Sequence, residues 1–325
     1  MIRWGILGAG GIAATVSADI AGTPGNELAA VAARDADRAA AFAARHGVPR
    51  SYGSYAELVA DPEVDVVYIA TTHAQHRDNA LLALRAGKPV LVEKAFTLTA
   101  RQAREVVAEA RARGLLCMEA MWMRVHPLIR TLQDLLAEGA IGEVVGVRAD
   151  LSKHFPYDPA GRLYDPAVGG GALLDLGVYP ATFAWMLLGR PDTQAVAGSL
   201  APTGTDLTAA LQWGYADGRV AQIYCSAAGY SPYAGLVTGT EGWLKLDTRV
   251  HHPTTLTFSD GRVLEAPAQV GNGYGYQVAE VARCLREGLR ESPYVPLDDT
   301  IGILEVLDDA RRQLGVHYPA DDEEG

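Results

Sequence analysis

The chain has 325 residues, 49% of them hydrophobic, and this length predicts two domains with sizeable buried cores. Its 39 acidic and 28 basic residues give a net charge of −11 at pH 7, so we expect no nucleic-acid partner, because a negative surface repels phosphate backbones. We also expect no membrane partner, since no apolar run reaches the length of a membrane span and the first residues enter a strand instead of a signal peptide.

The cysteines are few and widely separated along the chain. They are Cys117, Cys225 and Cys284. An odd number of distant cysteines is typical of a reducing compartment, and their spacing does not fit a metal site. We therefore expect a cytoplasmic protein without a bound metal.

Short apolar runs alternate with alanine-rich helical stretches in the first third of the chain. The predicted strands span residues 2–7, 28–33, 64–70, 90–92 and 115–118. The predicted helices span residues 12–21, 36–46, 55–60, 75–86 and 100–113. This alternation predicts a doubly wound parallel sheet with right-handed crossover helices.

After residue 121 the pattern changes to a succession of strands. A helix over 127–138, a strand over 144–151 and a long ordered loop over 152–171 come first, followed by a glycine-led helix that ends near residue 188. Further strands are predicted at 193–199, 206–213, 220–227, 233–238, 242–247 and 254–257, and closing helices at 276–287 and 300–314. We therefore predict an α/β fold with two domains, 1–121 and 122–325, the second with an open, mostly antiparallel mixed sheet.

A glycine-rich turn follows the first predicted strand and opens a helix. Its residues are Gly8, Gly10, Gly11, Ile12 and Ala13, which fit the pattern G-x-G-x-x-A. The first glycine permits a tight turn, the second lets a pyrophosphate approach the backbone, and the small residue packs helix on strand. The helix N-terminus supplies N–H donors to phosphate, so the pattern predicts a dinucleotide site.

Cofactor choice is expected at the end of the second strand, where Arg34 and Asp35 occur, with Arg38 one turn later. An acidic residue there binds the ribose hydroxyl of NAD, whereas arginine accommodates the 2′-phosphate of NADP. The two arginines favour NADP over NAD, although Asp35 could instead pair with them.

Polar residues also follow the next two strands of the first domain. They are Thr71, Thr72, His73 and His76 after the third predicted strand, and Glu93 and Lys94 after the fourth. Since ligands of open α/β sheets bind at the carboxyl ends of strands, we count all six as candidate cofactor-binding residues.

These motifs resemble the Gfo/Idh/MocA oxidoreductase family. The likeness is greatest to the branch with dimeric dihydrodiol dehydrogenases and NADP-dependent D-xylose 1-dehydrogenases, and it extends to about residue 190. It implies a Rossmann domain followed by a substrate-binding and oligomerisation domain, and a homodimer formed through the second sheet. The family's usual Glu-Lys-Pro is Glu93-Lys94-Ala95 here. Because a cis bond before alanine costs roughly 3 kcal/mol, we expect that bond to be trans.

The glycine-led helix carries Asp175 and Tyr179 four residues apart, on one helical face. Many relatives have histidine at the second position, and tyrosine there matches the dihydrodiol and xylose dehydrogenase branch. The phenol of a tyrosine has an ordinary pKa near ~10, and a neighbouring ammonium would favour its phenolate. Tyr179 is therefore the candidate acid/base, Lys94 the candidate source of that charge, and Asp175 a candidate orienting residue. Pro180 predicts a kink after Tyr179.

Candidate substrate-binding residues lie at the domain junction and in the long loop. They are Trp122, Arg124, His154, Phe155, Arg162 and Tyr179. For each of them except Tyr179, a purely structural role is also open: the residue could support the packing of the two domains or form hydrogen bonds within the loop.

We therefore expect an NADP-dependent oxidoreductase that transfers a hydride between the nicotinamide and a sugar hydroxyl or carbonyl, of the aldose 1-dehydrogenase type. The alternatives are a trans-dihydrodiol dehydrogenase, an NADPH-dependent dicarbonyl or anhydro-ketose reductase, and a non-enzymatic NADP-binding regulator. The expected partner is a small sugar or diol substrate.

Overall fold

The computed structural model describes residues 1–247, 249–269 and 271–324, which form two compact units. The first unit contains Met1–Thr97, Arg101–Trp122 and Ala268–Thr300, and the second contains the rest. The strands, in chain order, are β1 (Ile2–Leu7), β2 (Asn26–Ala32), β3 (Arg50–Tyr52), β4 (Val66–Ile69), β5 (Val90–Val92), β6 (Cys117–Glu119), β7 (Val144–Ser152), β8 (Thr193–Leu200), β9 (Asp206–Gly214), β10 (Val220–Ser226), β11 (Gly235–Gly239), β12 (Trp243–Leu246), β13 (Thr255–Phe258) and β14 (Val263–Glu265).

The α-helices include every helix that the pattern predicted. They are α1 (Gly11–Gly22), α2 (Ala36–His46), α3 (Tyr55–Ala60), α4 (His73–Arg85), α5 (Ala100–Arg113), α6 (Pro127–Ala137), α7 (Val178–Leu188), α8 (Gly275–Glu287) and α9 (Leu297–Leu314).

The first unit is built on a six-stranded parallel sheet with the order β3-β2-β1-β4-β5-β6. Strands β1, β4 and β5 are almost continuously apolar and buried, as expected for strands covered by helices on both faces. The strand order reverses between β1 and β4, and ligands of doubly wound sheets bind at the carboxyl ends of the strands beside such a reversal. The predicted doubly wound sheet is confirmed.

Residues 268–300 belong to the first unit, although the sequence pattern placed them in the second domain. A buried carboxylate explains their position. Asp19 of α1 accepts the backbone N–H of Asn272 at 2.8 Å and those of Tyr274 and Gly275 at 2.7 and 3.1 Å. The turn that leads into α8 is thereby bonded to α1, a contact between distant residues that local periodicity does not reveal.

The second unit contains an eight-stranded mixed sheet with the order β14-β13-β12-β11-β7-β10-β9-β8. Strands β7 and β10 run parallel, and the other neighbours are antiparallel. The predicted open mixed sheet is confirmed. Two three-residue strands, β3 and β14, were not predicted. Their side chains are half-buried or exposed, and three such residues show neither a buried apolar run nor a clear alternation of apolar and polar side chains.

The apolar helix α7 packs inside the second unit. A Cβ on Gly302 of α9 would lie 2.4 Å from the Trp185 ring, so glycine is needed where these helices meet. By length and mean hydropathy the helical run Pro166–Leu188 could cross a membrane, contrary to our expectation that no such run exists. However, 83% of its apolar window is buried inside the protein, which is typical of a core helix.

The three cysteines are free and buried, and a cytoplasmic location stays a prediction.

Candidate active site

The glycine turn after β1 has the shape that a bound pyrophosphate requires. Gly8 has a φ of +104°, and a Cβ there would lie 2.6 Å from the carbonyl oxygen of Ala70, so only glycine fits. Gly10 is the N-cap of α1, and apart from the adjoining residues and the helix's own backbone, no heavy atom of the described residues lies within 4 Å of a Cβ built on Gly10 or Gly11. Ala13 is fully buried and Ile12 half-buried. Open space in front of the helix N-terminus therefore fits a dinucleotide phosphate.

Asp35 caps α2 by accepting the backbone N–H of Arg38 at 2.9 Å, which gives its carboxylate a structural role. The guanidinium of Arg38 donates to the carbonyl oxygen of Ala9 at 3.1 Å, beside the glycine turn. Arg34 is exposed. Within the described ranges no ion pair joins Asp35 to either arginine, so both cationic groups remain suited to a phosphate.

Sequence reasoning missed Tyr55 as a neighbour of these arginines. Burial raises the pKa of Tyr55, while the positive charges of Arg34 and Arg38 act in the opposite direction, so all three side chains share one environment. Ser54 caps α3 and β3 pairs with β2, and together they bring Tyr55 to the edge where the arginines lie. The signal in the sequence is the motif Tyr52-Gly-Ser-Tyr55, which follows the second predicted strand.

Two histidines of α4 join the end of β4 to the end of β5. His73 Nε2 lies 3.3 Å from the carbonyl oxygen of Lys94, and His76 Nδ1 lies 2.9 Å from that of Ala95. The expectation of a trans bond was wrong, since the Lys94–Ala95 peptide is cis. The histidine contacts to both carbonyl oxygens hold the backbone at this position.

His76 is a buried brace and does not face solvent. Its Nε2 lies 3.1 Å from the carbonyl oxygen of Thr71, whose hydroxyl accepts an N–H of Asn79 at 3.1 Å. Burial lowers the pKa of His76 to about 4, so the ring is neutral at pH 7 and donates to only one of its two carbonyl neighbours. Thr72 is the N-cap of α4. The cofactor-binding roles of these residues stay predictions.

Glu93 immediately precedes Lys94 in the chain and is almost fully buried. It accepts the Tyr68 hydroxyl at 2.5 Å and the backbone N–H of Lys94 at 3.2 Å. Burial raises the pKa of Glu93 to about 7, against the opposing effects of the Tyr68 hydrogen bond and the Lys94 charge. Lys94 itself is partly exposed.

In the second unit, the predicted glycine-led helix begins as a π-helical turn. This turn covers Leu173–Gly177 and continues directly into α7. Pro180 is the third residue of α7 and lies inside this continuous helix, directly after the point where the hydrogen-bond register changes. The predicted kink at this position stays a prediction. Asp175 accepts Arg162 Nη2 at 2.9 Å, so the structure brings together two of the predicted site residues.

Tyr179 is only 6% exposed, and its ring stacks against His251 with 4.7 Å between centroids and an interplanar angle of 33°. A second aromatic pair lies on the same loop, because His252 meets the His126 ring edge-on at 5.2 Å. Burial and the neighbouring His252 lower the pKa of His126 to about 4. No local pattern marked His251 or His252, which lie between two short strands.

The remaining candidates are spread over the two units. In the first unit, Trp122 is buried and stacks on Tyr274 at 4.4 Å. In the second unit, Arg124 is buried, and the exposed His154 has Nδ1 3.0 Å from the carbonyl oxygen of Ala228. Phe155 accepts the Tyr164 hydroxyl at 2.7 Å. Their substrate-binding roles remain predictions.

The comparisons with known proteins identify both halves of the chain. An oxidoreductase family model, Gfo/Idh/MocA with an NAD-binding Rossmann fold, matches residues 2–121, and the Gfo/Idh/MocA C-terminal domain model matches residues 129–245. Trans-1,2-dihydrobenzene-1,2-diol dehydrogenases of Mus musculus and Homo sapiens are each 38% identical to this chain, over 98% of its length and 99% of theirs. The chain belongs to the Gfo/Idh/MocA oxidoreductase family. This Gfo/Idh/MocA protein is thus an NAD(P)-dependent oxidoreductase, as predicted.

Solved structures of similar proteins agree with this assignment. A 3-ketoreductase from Actinomadura kijaniata in complex with NADP and TDP-benzene has a TM-score of 0.84 at 28% identity, covering 96% of this chain and 97% of its own. An aldose-aldose oxidoreductase from Caulobacter crescentus complexed with glycerol has a TM-score of 0.87 at 23% identity, with 97% coverage of both chains, and supports the fold alone.

Replacing Gly8 by alanine should weaken cofactor binding, because its φ and the nearby Ala70 oxygen leave no room for a Cβ. We expect Gly8→Ala to weaken NADP binding at least tenfold by isothermal titration calorimetry and to lower the melting temperature. The matched control is Gly22→Ala at the end of α1, where a Cβ meets open space. Equal binding by the Gly8→Ala variant and wild type would contradict the assigned turn.

Proposed function

We propose that this Gfo/Idh/MocA protein is an NADP-dependent dehydrogenase of trans-dihydrodiols. The observation that carries the proposal is the 38% identity to trans-1,2-dihydrobenzene-1,2-diol dehydrogenases over nearly the full length of both chains. Those relatives support a dihydrodiol substrate, which was an alternative in the sequence analysis, better than the aldose that was its first choice. They are named as enzymes, which disfavours the non-enzymatic regulator.

Oxidoreduction at a sugar carbon is the second candidate. It is favoured by the likeness to the 3-ketoreductase, which was solved with a sugar-nucleotide-type ligand named TDP-benzene and with NADP. Structures of that ketoreductase with a tyrosine-to-phenylalanine or a lysine-to-alanine substitution also match this chain. One acid/base and one hydride acceptor serve either substrate class, so the choice between them depends on the side chains that contact the substrate.

NADP, when bound, supplies the hydride acceptor for an alcohol substrate. In our proposal the phenol of Tyr179 takes the hydroxyl proton during oxidation and returns it during reduction. The Lys94 ammonium favours the phenolate electrostatically. Since Asp175 is paired with Arg162, its charge is partly offset, which supports its role in orienting the substrate hydroxyl over a role in raising the pKa of the phenol.

Replacing Tyr179 by phenylalanine should remove the proton carrier but keep the buried ring and its stack on His251. We expect Tyr179→Phe to lower kcat about 10³-fold for a trans-dihydrodiol, within the range of roughly 10²- to 10⁴-fold that is typical of general acid–base groups. NADP binding and the melting temperature should change little.

The matched control is Tyr215→Phe, which removes a buried hydroxyl bonded to the carbonyl oxygen of Gly189 elsewhere in the same unit. The substrates to compare are trans-dihydrodiols, aldoses and sugar ketones, each with the matching redox form of NADP. Turnover of aldoses alone would overturn the dihydrodiol proposal in favour of the sugar enzyme, and full activity of Tyr179→Phe would overturn the assigned acid/base.

The choice of NADP over NAD is also a proposal, supported by the two arginines beside the glycine turn. Because each charge-assisted contact to a phosphate contributes roughly 1.5–3 kcal/mol, Arg34→Ala and Arg38→Ala should each raise the Kd for NADP by about 10- to 100-fold. The Kd for NAD should change less than threefold. Arg45→Ala, an exposed arginine of α2, serves as the control. Equal losses for both cofactors would refute a 2′-phosphate role.

We also propose a homodimer formed through the outer face of the second sheet, as the family resemblance implies. This face has a shallow groove of 750 Å³. Small exposed alanines of β8 and β9 line one part of it, namely Ala195, Ala197 and Ala210, and Tyr224 of the neighbouring strand β10 also lines it. An open apolar sheet face of this kind is typical of a surface covered by a second copy.

Ala210→Arg should dissociate the proposed dimer, because it places a long charged side chain on the apolar part of the groove. The expected result is a change from dimer to monomer mass by size-exclusion chromatography with light scattering. Val145→Arg, at an exposed position of β7 outside the groove, should leave the mass unchanged. A monomeric wild type at micromolar concentration would disprove the dimer.

A further inference from the structure

The glycine run before Asp175 is packed against the rest of its own unit. A Cβ on Gly170 would lie 2.5 Å from the carbonyl oxygen of Leu163. Gly171 has a φ of +123°, and its Cβ would lie 2.1 Å from Asp206 Oδ1. Glycine is therefore required at both positions, because neighbouring atoms occupy the space that a side chain would need.

Asp206, the first residue of β9, is the closest of these neighbours and is only 1% exposed. Its Oδ2 accepts the backbone N–H of Leu173 at 2.6 Å. Leu173 is the first residue of the π-helical turn, so this carboxylate satisfies an N–H that the start of a helix leaves unpaired. Burial raises the pKa of Asp206 to about 6, and the hydrogen bond from Leu173 opposes that shift.

Tyr318 binds Gly170, the residue before Gly171 in the glycine run. It is fully buried, and its hydroxyl donates to the carbonyl oxygen of Gly170 at 2.6 Å. The guanidinium of Arg311 lies 4.4 Å from the centre of the Tyr318 ring, and the backbone N–H of Tyr318 donates to Asp321 at 2.8 Å. Arg311 also donates to Asp321 at 3.0 Å. These contacts fix the segment that carries Tyr318, and so they fix the position of the hydroxyl that binds Gly170.

We propose that Asp206 and Tyr318 are positioning residues that fix the glycine run and the π-helical turn, and thereby hold Asp175 and Tyr179 in their working orientation. This inference rests on the proposed role of Tyr179 as acid/base. Asp175 lies within the turn, and Tyr179 follows it by two residues. A displacement of the turn therefore moves both side chains together, and a misplacement of ~1 Å can lower a catalytic rate about 10²-fold.

The experiment compares Asp206→Ala with Asp206→Asn. Alanine removes the acceptor for the Leu173 N–H, whereas the side-chain oxygen of asparagine retains it. We expect Asp206→Ala to increase hydrogen exchange of residues 172–179 at least tenfold and to lower kcat at least tenfold, with the KM for NADP unchanged. Asp206→Asn should remain within threefold of wild type in both measurements.

The control is Asp61→Ala, which removes another buried carboxylate, one that accepts the backbone N–H of Glu63 in the first unit. It should leave the exchange of residues 172–179 unchanged. If Asp206→Ala does not fold, Tyr318→Phe is used, since it removes only the hydroxyl and keeps the ring over which Arg311 lies. This variant should shift the ring resonance of Tyr179, which is assigned by its absence in Tyr179→Phe.

Two results would overturn the inference. One is unchanged exchange at residues 172–179 and an unmoved Tyr179 resonance in these variants. The other is an increase in exchange across the whole second unit with equal losses in Asp206→Asn and Asp206→Ala, which would mean a purely structural role. A wild type that turns over none of the substrates disproves the proposed function instead, and the exchange and resonance measurements then still report on the positioning.

Discussion

A helix begins with backbone N–H groups that need acceptors, and the two units meet this requirement in opposite ways. At the start of α1, Gly10 and Gly11 face open space, which leaves the N–H groups for a phosphate. At the start of the π-helical turn, the Asp206 carboxylate is the acceptor, because it binds the backbone N–H of Leu173. The same signal in the sequence, a glycine run before a helix, thus marks a ligand site in one unit and a packed support in the other.

Much of the fold could be predicted, because buried parallel strands and amphipathic helices have clear periods in the sequence. Features set by distant contacts could not. Residues 268–300 join the first unit through Asp19, and Tyr179 meets His251 from a loop more than seventy residues away. The π-helical turn was also missed, since nothing in its sequence distinguishes it from an α-helix.

The electrostatics of the first unit bear on the proposed role of the lysine. Glu93 adjoins Lys94 in the chain, and a fully ionised carboxylate there would offset the ammonium charge. Burial raises the pKa of Glu93 to about 7, which reduces the average negative charge of that carboxyl at neutral pH. Its bond with the Tyr68 hydroxyl keeps it inside the unit. The sequence shows an acid beside a lysine, but the charge that this acid carries depends on its burial and on its contacts with Tyr68 and Lys94.

The surroundings of Tyr179 explain why a cationic partner is needed. The ring is 6% exposed and covered on one side by His251, so water can do little to stabilise a phenolate. Asp175 brings a negative charge one turn away, and the exposed Arg162 that pairs with it offsets this charge only in part. A buried phenol that exchanges a proton with substrate therefore requires a positive group supplied from elsewhere in the working enzyme. That requirement supports our proposal that a lysine, Lys94, assists this step.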